Sequence, residues 1–162
     1  MKDKSPAKQL AGFIAKFTPE VEALAQAVLA KMRKRLPGAI ELVYDNYNAL
    51  AIGFGPNERA SDAIFSIALF PRWVSLFFLH GASLNDPHKL LKGSGKVVRH
   101  IVLKNAAVLE QPAVRALMAQ ALQDAKPLDP ACANRIVIKF VSARQRPRRP
   151  TAQRRAKQLA RR

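Results

Sequence analysis

The sequence predicts an α+β fold: a two-layer sandwich in which an antiparallel sheet of about five to six strands carries helices on one face. Three observations lead there. Two stretches combine a helix-start signal with apolar residues at three- and four-residue steps. Between and after them lie short apolar, β-branched runs bounded by turn residues. The chain of 162 residues, 49% hydrophobic and 24% charged, is large enough to bury one core.

The first helix signal is Thr18-Pro19-Glu20: a hydroxyl for free backbone N–H groups, proline at the first helical position, and an acid in the first turn. Val21, Leu24, Val28, Leu29, Met32 and Leu36 then form one stripe, ended by Pro37-Gly38. Lys31, Arg33, Lys34 and Arg35 crowd its last turns, where cations complement the carbonyl end of the helix dipole; a binding patch is the competing reading. Ahead of this helix, 7–17 reads as a weaker helix or an ordered arm. Residues 41–54 read as a hairpin around Asp45-Asn46-Tyr47-Asn48. Strands follow at 63–70 and 73–80, and Pro71-Arg72 between them predicts an antiparallel pair. Both are apolar at either parity, the pattern of central strands covered on two faces, or covered by helices on one face and by a partner or ligand on the other. A fifth strand is expected at 97–103. Gln111-Pro112 opens a second helix running to Lys126-Pro127, and 135–141, RIVIKFV, reads as a sixth strand or a short helix.

The charge is unusual. A net +17 and a pI near 11.0 favour polyanionic partners, nucleic acid or an anionic membrane surface. Nine of the basic residues (Arg144, Arg146, Arg148, Arg149, Arg154, Arg155, Lys157, Arg161 and Arg162) fall in a stretch with no acid. The expected organisation is a domain over 1–143 and a disordered basic tail over 144–162, with a helix from Thr151 if it meets a partner. Such a tail would bind phosphates with steep salt dependence, or merely aid solubility. The most apolar stretch, 63–79, is broken by Pro71 and Arg72, so membrane insertion is not expected. One cysteine, Cys132, and a start without a secretory signal fit a reducing cytoplasm.

Residues 90–101, LLKGSGKVVRHI, invite comparison with a phosphate-binding loop, which needs G-x-x-x-x-G-K-[ST] between a strand and a helix. Leu90 stands at the first glycine position, Val97 replaces the hydroxyl, and a strand is predicted next, so the stretch reads as a turn with solvated lysines and at most an anion contact through Lys92, Lys96 and Arg99. His80, His88 and His100 match no compact metal spacing, and Cys132 lacks a neighbouring ligand or base. Nothing in the sequence requires a cofactor. Tyr44, Tyr47, Phe54, Trp73, Phe77 and Phe78 could line a pocket or a base-stacking face, although most aromatics on strands are core.

The stretch 44–103, with its LFFLHGA strand end followed by L-x-D-P-x-x-L-L-x-G-S-G-K-x-x-R-H, resembles the YdhG-like domain family of unknown function. The likeness covers roughly 18–125. It implies an α+β sandwich, treats the glycine-lysine stretch as a recurring loop-to-strand feature, and carries over no catalytic residues. Some members have been likened to frataxin and described as iron chaperones; Glu20 and Glu22 are the nearest counterparts of the acidic ridge that would require. The leading expectation is therefore an intracellular binding domain without catalytic machinery whose basic tail contacts nucleic acid. The alternatives are a frataxin-like iron chaperone, and a small-molecule-binding domain or enzyme using the sheet face. Ligand or anion candidates are Tyr44, Asp45, Tyr47, Arg72, Lys92, Lys96, Arg99 and His100, with Asp45, Tyr47, Arg72, Lys96 and His100 as the set an enzyme would use.

Overall fold

The computed structural model describes residues 5–150. Helices α1 (Pro6–Ala15) and α2 (Pro19–Arg35) precede strands β1 (Ile40–Asp45), β2 (Leu50–Gly55), β3 (Phe65–Leu69), β4 (Val74–Phe78) and β5 (Arg99–Leu103). Helix α3 (Pro112–Asp124) and strand β6 (Arg135–Val141) complete the order. Each helix has proline in its first turn, where a missing N–H loses no helical bond. The Thr18 hydroxyl accepts from the backbone N–H of Val21 at 3.2 Å, and Ser5 does the same for Lys8. Gly38, at φ +84°, makes the left-handed turn out of α2; a Cβ there would sit 1.9 Å from the carbonyl oxygen of Asp129, so no other residue fits.

The six strands form one sheet in the order β5-β4-β3-β2-β1-β6. The first five meander antiparallel, as the turns at Asp45–Asn48 and Pro71-Arg72 predict. The sixth corrects the expectation of a purely antiparallel sheet: β6 is a strand, not a helix, and it runs parallel to β1, with a register shift between Val43 and Tyr44. The chain reaches it by crossing from β5 over the sheet through α3, so β6 arrives at the far side of β1 already pointing the same way.

On one face Val43, Leu50, Ile52, Phe54, Phe65, Ile67, Leu69, Val74, Leu76 and Phe78 pack against Leu10, Ile14, Val28, Leu29 and Met32 of the first two helices, Phe17 between them, and Val114, Leu117 and Met118 of α3. Phe65 and Phe78, paired across β3 and β4, meet edge to face at 5.5 Å between ring centres. Each such side chain, wholly removed from water, contributes about 1.5–3 kcal/mol. On the other face, the 56–63 segment folds back over β1 and β2. It passes Gly55 so closely that a Cβ there would lie 2.9 Å from Ala63 Cα, and Leu42 beneath is fully buried. The rest of that face carries a row of small residues, Ala51, Ala68 and Ser75, between Tyr44 on β1 and Val102 on β5. Among the described residues no helix is long and apolar enough to cross a membrane.

Candidate functional site

β1 alternates acid, valine, acid on its helix-facing side: Glu41, Val43 and Asp45 share a face with Phe54, Ile52 and Leu50 across the hairpin. Both acids are 1% exposed, and a buried carboxylate requires a partner. Glu41 takes a bidentate grip from Arg33 of α2, Nε to Oε2 at 2.8 Å and Nη2 to Oε1 at 2.9 Å. The Arg33 guanidinium is held more firmly protonated than usual, chiefly by this hydrogen bond. Asp45 takes Arg148, whose Nη2 donates to Oδ1 at 2.8 Å and to the Asn46 carbonyl at 2.6 Å. The Arg148 guanidinium also stands over the Phe17 ring, 5.5 Å from its centre.

The Asp45 pair corrects the expectation of a free tail from residue 144. After β6 the chain forms a strap along the β1–β2 turn. Ser142 N–H donates to the Asp45 carbonyl at 2.8 Å and Arg146 N–H to the Tyr47 carbonyl at 2.9 Å, while Arg149 Nε donates to the Lys16 carbonyl at the end of α1 at 3.2 Å. Arg148 is buried under the strap, whereas Arg144, Arg146 and Arg149 are exposed. Arg154, Arg155, Lys157, Arg161 and Arg162, and the helix expected from Thr151, lie outside the described residues.

Where the strap passes the β3–β4 turn, a cleft of about 570 Å³ opens, lined by Asn48, Phe70, Pro71, Arg72, Trp73, Arg146 and Pro147. Among the described residues no carboxylate lines it. Phe70 N–H donates to the Trp73 carbonyl to close the turn, and the two rings stack at 4.7 Å and 17°. Trp73 is still 43% exposed and Tyr47, beside the cleft, 49%; Arg146 stands over the Tyr47 ring at 5.9 Å. Cavities of roughly 300–1,000 Å³ are the usual size for ligand sites.

The eight sequence-nominated residues therefore do not form one site. Arg72 lines this cleft, Tyr47 is next to its Asn48 and lies under Arg146, Asp45 is committed to Arg148, and the buried Tyr44 hydroxyl has no hydrogen-bond partner among the described residues. Lys92, Lys96, Arg99 and His100 sit at the opposite end of the sheet, where Arg99 and His100 pair with Phe78 and Phe77. The enzyme set is split for the same reason. At that end the loop is closed by its own bonds. Lys92 and His100 exchange backbone hydrogen bonds at 2.8 and 2.9 Å, the Asp86 carboxylate accepts from Leu90 N–H and Leu91 N–H, and the Arg99 guanidinium donates to the carbonyls of Gly95 and Val98. The stretch leads into β5, so the glycines serve a turn and not a helix N-terminus.

The basic run ending α2 is also largely structural. Arg33 holds Glu41, Arg35 donates to the Leu109 carbonyl at 2.7 Å, and Lys31, Arg35 and Arg115 share Glu110. Of the nominated aromatics, Phe54 and Phe78 are core, and Phe77 lies against the His100 ring, tilted by 32° with centres 5.2 Å apart. The exposed Cys132 thiol is pushed up by its hydrogen bond to Asp129 and by that carboxylate's charge, the opposite of what activates a nucleophile. Among the described residues no group of three or more His, Cys, Asp or Glu is placed to hold a metal ion, and Glu20 and Glu22 are acids of the first turn of α2. No protein-family model, curated protein or solved structure matches the chain.

Proposed function

We propose that the chain is a non-catalytic nucleic-acid-binding domain whose phosphate contacts are made by Arg72 and by the strap arginines Arg144, Arg146 and Arg149, extended by the basic residues beyond 150. The observation that carries this reading is the cleft between the two turns, with two arginines and no acid in its lining, in a chain of net charge +17. Exposed arginines on a fixed strap are already positioned, so less conformational entropy is lost when they meet phosphate than on a free tail.

The buried Arg148 decides how the test is cut. Truncation after Ala143 would remove the partner of Asp45 and unsettle the fold, whereas truncation after Pro150 keeps it and removes Arg154, Arg155, Lys157, Arg161 and Arg162. Binding of a labelled oligonucleotide by the full chain is expected to weaken steeply between low and physiological salt. The Pro150 truncation should reduce, not abolish, that slope, and Arg72→Gln with Arg146→Gln should reduce it further, by about 0.7 for each phosphate of a single strand that is no longer neutralised. Binding that ignores salt would rule the reading out. The iron-chaperone alternative stands on the family resemblance alone. A saturable iron titration abolished by Glu20→Gln with Glu22→Gln would favour it.

A further inference from the structure

Resting on that proposed function, we infer that the cleft selects single-stranded nucleic acid by stacking an unpaired base on Trp73. The indole is backed by Phe70 at 4.7 Å, so it is held as a rigid plate, yet the residue is 43% exposed and lines the cleft. A half-bare tryptophan in the lining leaves an aromatic surface facing water, and a nucleobase is the flat, weakly polar group that covers it. The flanking cations fix the rest of the ligand. Arg72 precedes Trp73 in the turn and Arg146 faces it from the strap, so a base entering between them brings its phosphates toward two guanidinium groups with no carboxylate in the lining to repel them. Bases within a duplex have both faces covered by their neighbours and offer no free ring face to the indole. The cleft thus distinguishes strand state, not sequence, because every base has a π-face.

Trp73 is the only tryptophan of the chain, so its emission reports this site alone. The full-length protein is titrated with a short oligothymidylate, an oligouridylate and a duplex, each end-labelled so that anisotropy reports binding while indole emission reports stacking. Both single strands should quench Trp73 as anisotropy saturates, and the duplex should leave emission unchanged. Trp73→Leu should weaken single-strand binding roughly tenfold, the equivalent of about 1.4 kcal/mol, with duplex binding unaffected. Arg146→Gln keeps the backbone bond to Tyr47 and should weaken single-strand binding without loss of thermal stability. Saturating anisotropy with unchanged emission, and equal affinity in Trp73→Leu, would overturn the inference and leave the proposed function standing. No anisotropy response to any of the three probes would remove both.

Discussion

The two acids of β1 occupy equivalent places, one near each end of a single strand and both pointing at the helices, yet their arginines come from opposite kinds of connection. Glu41 is gripped by Arg33, eight residues earlier in the chain, with both carboxylate oxygens bonded and the arginine one-third open to water. Asp45 is held by Arg148, 103 residues later, through Oδ1 alone. Among the described residues its Oδ2 and the Nε and Nη1 of Arg148 have no hydrogen-bond partner, the Lys16 ammonium at 4.0 Å being out of hydrogen-bond reach. The first pair clips a helix to its neighbouring strand. The second fastens the strap that forms one wall of the cleft, and it does so incompletely. Local pairing can be fully satisfied because the two elements are placed by the same turn; distant pairing inherits whatever geometry the rest of the fold leaves.

The contrast is open to direct attack. Asp45→Ala leaves a 4%-exposed guanidinium without its carboxylate, and a broken buried pair of this kind costs about 3–5 kcal/mol. Urea unfolding should register that loss, and protease cleavage in 142–149 should accelerate because the strap is the part able to leave. Glu41→Ala should cost less, about 2 kcal/mol, since Arg33 can turn its head to solvent, and the strap should remain protected. The reverse order of the two losses would show that the local pair, not the distant one, anchors the structure. The smallest effect belongs to a third acid, outside β1. Asp62 accepts from Asn57 at 3.0 Å and from Lys126 at 3.1 Å, and these hydrogen bonds hold its carboxyl below the usual range. A depressed folded pKa stabilises the native state above the unfolded value, near 3.9, and that contribution fades as pH falls through the folded value. Asp62→Asn should therefore flatten the stability profile slightly below about pH 4 and leave its slope unchanged at neutrality, as measured by thermal melts across pH.

Much of this was legible in residue order. Thr18-Pro19-Glu20 and Gln111-Pro112 mark helices that the structure places at Pro19–Arg35 and Pro112–Asp124, and Pro71-Arg72 marks the reversal between β3 and β4. Strand direction at β6 was not legible, because RIVIKFV has the same pattern whichever way it is laid against a neighbour; only the crossover through α3 decides it. Arg148 was equally hidden. Within RQRPRRP nothing distinguishes the buried arginine from the exposed ones, and Asp45 beside Asn46 reads as a turn former. A signal did exist in β1: acids at 41 and 45 flank Val43 at the same parity, so if Val43 is core, both carboxylates are buried and two cations must be found for them. The cleft needed three segments far apart in sequence, 48, 70–73 and 146–147, which no spacing rule connects.

The parallel docking of β6 bears on synthesis. Until residues 135–149 have left the ribosome, β1 has one edge of unpaired backbone groups, and its carboxylate at 45 has no counter-ion from the chain's later part. Roughly 90 residues lie between the end of β1 and the start of its parallel neighbour, on the order of 5–18 s of elongation. A nascent chain with that margin bare is a target for holdase chaperones and for strand exchange with a sister polypeptide. The clamp on this sheet closes late, and stalling just short of it would leave a nearly whole sheet that is still able to pair with the wrong partner.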